Sequence, residues 1–130
     1  MDKEKRQHPR LDAKIPGKVR LSSGDFLPAL ILNLSLGGLK FSCGRDTANH
    51  ILPKNQRTPG QVMGVMIEIQ FDLQPPSQPL LSIDATARVI HSERLAQDIF
   101  HVGVQFSKID AAAVQTLKAY IDGLSKQQPA

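Results

Sequence analysis

Two short groups of side chains carry the chemistry that can be read from this sequence. Arg6-Gln7-His8-Pro9-Arg10 places two arginines four positions apart in a basic stretch, and Asn33-Leu34-Ser35-Leu36-Gly37-Gly38 follows about two dozen residues later. An arginine presents five N–H donors in a planar fork that fits phosphate oxygens and, equally well, the O6/N7 edge of guanine. Two of them suit a ligand that carries phosphates and guanines together. Pro9 biases His8 toward an extended backbone, which sets the pair on a loop able to wrap a ligand rather than on one helix face. Asn33 and Ser35, at i and i+2, project on one side of an extended segment and offer an amide and a hydroxyl to base edges or phosphate. Gly37 and Gly38 let the backbone turn and approach a flat ligand. Lys5 adds charge beside Arg6. Taken singly each group is common: arginines in a basic stretch are more often merely solvated, and an Asn-x-Ser turn often bonds only its own backbone.

Other chemistries find little support. His8, His50, His91 and His101 lack metal-ligand spacing, and Cys43 is the single cysteine, so neither a metal site nor a disulfide is expected. Cys43 is expected to be a half-buried structural residue. No nucleophile, base and orienting group are suggested by spacing, no Walker-type phosphate loop occurs, and the carboxylates are scattered, so the expectation is a binding protein and not an enzyme, without a cofactor. With no Trp, one Tyr and five Phe, the chain lacks the aromatic platform of a single-strand nucleic-acid binder. No apolar run approaches the ~20 residues of a membrane span, and the charged start MDKEKRQHPR has no apolar signal region behind it. A lone thiol fits a reducing compartment, and the expected location is the cytoplasm.

The elements that must position these groups follow from patterning. A chain of 130 residues is the size of one domain. Its net charge of +4 resides at the start, where seven Lys and Arg face three acids within the first twenty residues, leaving nine of each sign beyond. Residues 1–13 have almost no apolar content and are expected to form a flexible arm. Val19 and Leu21 alternate with Lys18 and Arg20, Ser22-Ser23-Gly24-Asp25 supplies a turn, and Phe26 to Leu32 gives a second strand. Asn33 to Gly38 is read as a turn, Leu39 to Ser42 as a third strand, and Cys43 to Gly60 as a long loop with one helical turn around Ala48 to Leu52. Met63, Val65, Ile67, Ile69 and Phe71 alternate in a fourth strand. The proline-rich 74–79 connects it to strands over Leu81 to Arg94 and Phe100 to Phe106. Six strands with short turns suggest a closed or nearly closed antiparallel barrel. Asp110 then caps a helix whose Val114, Leu117, Ile121 and Leu124 share one face, helped by Ala113 and Tyr120, and 125–130 is a polar tail.

The two motifs together, in this order and strand context, resemble the PilZ domain family, whose signature is RxxxR followed after one hairpin by [D/N]xSxxG. Ala87-Arg88-Val89-Ile90 and Val102-Gly103-Val104-Gln105-Phe106 are similar to the family's last two strands, and the helix after Asp110 to its C-terminal helix. The resemblance implies a mainly β fold, a six-stranded antiparallel barrel over 14–124 with a C-terminal α-helix. It implies binding of the bacterial second messenger cyclic di-GMP through Arg6, Arg10, Asn33, Ser35 and Gly38, with Lys5 and Gly37 beside them. It further implies a stand-alone effector that relays a change of the arm to a protein partner in motility, pilus or exopolysaccharide control. Two alternatives stand beside it: a ligand-independent scaffold of the same family for pilus or flagellar assembly, and a nucleic-acid binder using the basic arm. Cys43 to Gly60 and Gln74 to Pro79 are longer than the family's commonest form.

Overall fold

The computed structural model describes residues 11–21, 24–52, 65–75, 77 and 79–127, without the side chains of Leu11 and of 124–127. Six strands, β1 (Leu11–Arg20), β2 (Leu27–Leu34), β3 (Gly38–Cys43), β4 (Met66–Leu73), β5 (Leu81–Ala96) and β6 (Ile99–Ile109), close a barrel in the order β1-β2-β3-β6-β5-β4. Every neighbouring pair is antiparallel. Closure leaves no open sheet edge over the paired residues. The period-two faces explain the core: Val19, Ile31, Phe41, Ile67, Ile69, Phe71, Ile83, Ala87, Val89, Val102 and Val104 turn inward and are buried, while Lys18, Glu68, Asp84 and Arg88 between them are half-buried or exposed.

A helix stands at each end. Helix α1 (Arg45–Ile51) follows β3 and buries Thr47, Ala48 and Ile51, with Leu52 just beyond. Its first residue after Gly44 is capped from a distance: Arg45 N donates to Asp98 Oδ1 at 2.7 Å, across the β5–β6 turn. Cys43, beside this cap, is buried, and burial first, the Asp98 charge second, push its thiol from an ordinary value of 9.0 up to about 12. It is a neutral, unreactive packing residue. Helix α2 (Ala111–Gln127) begins after β6, where Val114 N donates to the Asp110 carbonyl at 2.9 Å, and lies against β5, β1 and β4.

Several boundaries move from the expectation. Strand β1 starts at Leu11, inside the stretch read as an arm, because Leu11 and Asp12 pair with Leu34 and Asn33 of β2. It ends at Arg20, and Leu21 is 39% exposed instead of continuing the inward face. Strand β2 extends to Leu34, so Asn33 is a strand residue and not part of the turn. Strand β4 starts at Met66 and runs to Leu73, two residues past Phe71; Val65 packs on the core and Met63 lies outside the described residues. The helix in the 43–60 region is two turns long where one was expected. Helix α2 continues to Gln127 into the expected tail, and its buried line is Ala113, Leu117 and Ile121, with Val114 only half-buried.

Candidate functional site

The turn from β2 to β3 is built around one hydroxyl. Ser35 Oγ accepts from the backbone N–H groups of Gly37 and Gly38, each at 3.2 Å, and donates to the Gly38 carbonyl at 3.2 Å. The Ser35 N–H reaches the same carbonyl at 2.9 Å. A hydroxyl has one proton and two lone pairs, so Ser35 is fully used within the turn. Asn33 and Ser35 are both half-buried on either side of buried Leu34, and the Ser35 hydroxyl is turned back on its own loop. The turn is fixed from outside as well. Leu34 and Leu39 are buried on either side of it, and Phe106 N donates to the Gly37 carbonyl at 2.9 Å, tying it to β6.

Gly38 has a packing reason to be glycine. A Cβ there would lie inside the contact radius of the Val104 carbonyl oxygen and 3.1 Å from Gln105 Cα. Gly38 thus permits a close approach to β6, its pairing partner through Gln105.

Asn33 owes its exposure to an irregularity. The β2–β3 register shifts between Ile31 and Asn33, so Ile31 and Leu34 both turn inward and Leu32 and Asn33 are left half-buried. With strict alternation Asn33 would point into the core with Ile31. Instead it heads a row on the outer face: Asn33 stands between Asp12 of β1 and Lys40 of β3, Lys40 pairs with Gly103 of β6, and Gly103 with His91 of β5. Lys40, Gly103 and His91 are members of the outer face that motif spacing did not single out; only strand register reveals them. His101 also faces outward, as the buried Phe100 and Val102 on either side require.

Arg6, Arg10 and Lys5 lie outside the described residues. Their point of attachment does not. Leu11, directly after Arg10 in the sequence, pairs with Leu34, directly before Ser35, so RxxxR joins the barrel beside the Ser35–Gly38 turn. Across the outer face of β1, β4, β5 and β6 a cavity of about 490 Å³ is lined by Arg20, Phe26, Glu68, Thr86 and Lys108 among others. Arg20 is held there by Glu68 at 2.8 Å and stacks over the Phe26 ring at 4.2 Å. That cation is already neutralised, and none of the described motif residues, Asn33 to Gly38, lines the cavity. Among the described residues no cluster of His, Cys, Asp or Glu is arranged to hold a metal ion, and no helix is long and apolar enough to cross a membrane.

A closed six-stranded antiparallel barrel with a helix after its last strand defines the structural class. The family model described as "PilZ domain" matches residues 4–123, and the chain belongs to the PilZ domain family. Solved structures agree on the fold. The Bacillus subtilis inhibitor of motility (MotI/DgrA) superposes with a TM-score of 0.68 at 16% identity, over 97% of this chain and 54% of that one. The PilZ domain with c-di-GMP of YcgR from Escherichia coli gives 0.61 at 14%, covering 95% and 94%. The K. pneumonia MrkH–c-di-GMP complex gives 0.58 at 12%, covering 95% and 54%. The chain thus spans about half the length of the first and third proteins and nearly all of the second. No curated protein matches it in sequence.

Proposed function

We propose that this chain is a receptor for cyclic di-GMP, which Arg6 and Arg10 grip against the Asn33–Gly38 turn, and that ordering of the arm on binding is the signal passed to a protein partner in motility, pilus or exopolysaccharide control. The observation that carries the reading is the Leu11–Leu34 pairing, since Leu11 follows Arg10 and Leu34 precedes Ser35 in the sequence. The similar structures of the YcgR PilZ domain and MrkH are complexes with c-di-GMP. Within the site the roles divide. Arg6 and Arg10 supply charge-assisted forks for phosphate and guanine, Asn33 supplies an outward amide, and Ser35 and Gly38 hold the turn in shape, with Gly37 fastening it to β6.

Calorimetric titration with cyclic di-GMP tests the reading. Loss of either arginine is expected to weaken binding by about 1.5–3 kcal/mol, roughly one to two decades. Arg10→Lys keeps the charge but loses the fork, so it should behave like Arg10→Ala. Wild-type-like binding by Arg10→Lys would reduce the arm to a generic electrostatic attractor. No binding of cyclic di-GMP by the unmodified chain would overturn the proposal.

A further inference from the structure

Helix α1 has few means of holding itself together. Its seven residues are too few to stay helical alone in water. Its N-cap is Gly44, which has no side chain to offer the free N–H groups of the first turn. The backbone does not require glycine there, since φ is −85° and ψ 179°, an extended conformation open to any residue. Space does. A Cβ on Gly44 would lie 3.2 Å from Asp98 Oδ1 and 3.6 Å from its Cγ, so the missing side chain is what admits the Asp98 carboxylate to the Arg45 N–H. A negative group at a helix start is favoured by the helix dipole as well.

Asp98 is itself held in place. It sits in the turn between β5 and β6, where Arg94 Nε donates to the Ala96 carbonyl at 3.1 Å and Arg94 Nη2 to the Gln97 carbonyl at 3.0 Å. The same guanidinium lies 5.6 Å from the centre of the Phe100 ring. Beyond the capped end, Thr47, Ala48, Ile51 and Leu52 are buried, and Thr47 Oγ1 donates to the Pro28 carbonyl at 3.2 Å, which satisfies the one buried hydroxyl of the helix. Cys43 adjoins the N-cap, pairs with Phe100 of β6 and is buried in the same place.

We infer that α1 is a plug that opens as a unit at this end of the barrel while the six strands stay paired, and that Asp98 is its catch. The β5–β6 turn carries the catch and the helix carries the plug, so loss of one hydrogen bond frees the helix start without breaking any strand pairing. Opening uncovers Cys43, which is shut in while α1 is closed. The plug follows the end of β3 remote from Gly38, and it does not depend on the receptor reading above.

The single cysteine of the chain reports the opening directly. Cys43 is labelled with an aromatic disulfide reagent in native buffer and in rising, sub-denaturing urea. The labelling rate of the unmodified chain should change little with mild urea, because opening one short helix exposes little surface. Asp98→Ala should label about 5- to 10-fold faster with the same weak urea dependence. Returning a cap to the helix itself, with Gly44→Asp added to Asp98→Ala, should slow labelling back toward the unmodified rate. Labelling of Asp98→Ala at the unmodified rate overturns the inference, as does a rate that climbs with urea in step with global unfolding. A double variant that labels as fast as Asp98→Ala makes Asp98 a packing residue and overturns the catch. Should Asp98→Ala fail to fold, amide exchange of the unmodified chain decides: the amides of α1 should exchange faster than those of β4 and β5, and equal protection overturns the plug.

Discussion

Ser35 and Gly38 belong to the same motif, and in the structure both shape the turn. The hydroxyl saturates two N–H groups and one carbonyl that the tight turn would otherwise leave unpaired, and the bare Cα lets β3 close on Val104 of β6. Asn33 and Lys40 are the outward groups. The residue-scale expectation is therefore a split between stability and affinity. Gly38→Ala should force β3 from β6 and destabilise the free protein by about 1–3 kcal/mol, the usual cost of overpacking, whereas Asn33→Ala should leave the melting temperature nearly unchanged and weaken only ligand binding. Thermal melts beside titrations of the two variants check this, and an undisturbed melt for Gly38→Ala would refute the packing role. The sequence displays both residues in a recognisable pattern, yet it does not display the role of Gly38. That role depends on Gln105, 67 residues away and paired opposite it.

At the scale of elements, alternation was legible wherever strands run straight. Ile67, Ile69 and Phe71 face inward on β4 as their spacing requires, as do Ile83, Ala85, Ala87 and Val89 on β5 and Phe100, Val102 and Val104 on β6. Where a register shift intervenes, as between Ile31 and Asn33, period-two reading fails, because an extra residue reverses every later side chain. Helix α1 was half-legible for another reason: seven residues are too few for a convincing amphipathic stripe, and its cap comes from Asp98, 53 positions on. The two faces of β4 offer a direct check. Ile67, 1% exposed, stands opposite Ala87 in the core, so Ile67→Asp buries an unpaired carboxylate and should cost several kcal/mol, on the order of 3–5. Its neighbour Glu68 is on the outer face, paired with Arg20 where both side chains are about a third exposed. Glu68→Gln should cost only about 0–1 kcal/mol. Urea melts giving equal losses would mean that the faces of β4 are reversed.

For the whole molecule, the sequence sets a basic lead ahead of a closed barrel. The barrel is closed, and helices stand at the end of β3 and after the end of β6, while the RxxxR sequence precedes Leu11, whose partner Leu34 is buried against the turn. Within residues 1–10 only Met1 and Pro9 are apolar, too little to offset the ~1–2 kcal/mol per residue of backbone ordering. On the proposed receptor reading, cyclic di-GMP would offset it through the two arginine forks. Binding should then slow amide exchange over Arg6 to Arg10 strongly and over Asn33 to Lys40 modestly, while the inward residues of β4 and β5 exchange as before. The position of β1 makes the signal local: its first residues pair only with the end of β2 and not with β4, whose pairing with β1 runs from Gly17 to Arg20. On the proposed reading, ordering of the arm would act on this barrel end and leave the β1–β4 seam alone, so a partner that senses the ligand should cover the end bearing the Ser35–Gly38 turn. Hydrogen exchange of the free and cyclic di-GMP-loaded chain, compared with Arg10→Ala under the same ligand, measures this. Equal protection of Arg6 to Arg10 in both states would rule out the arm as the switch, even if the arginine variants had lost affinity as expected.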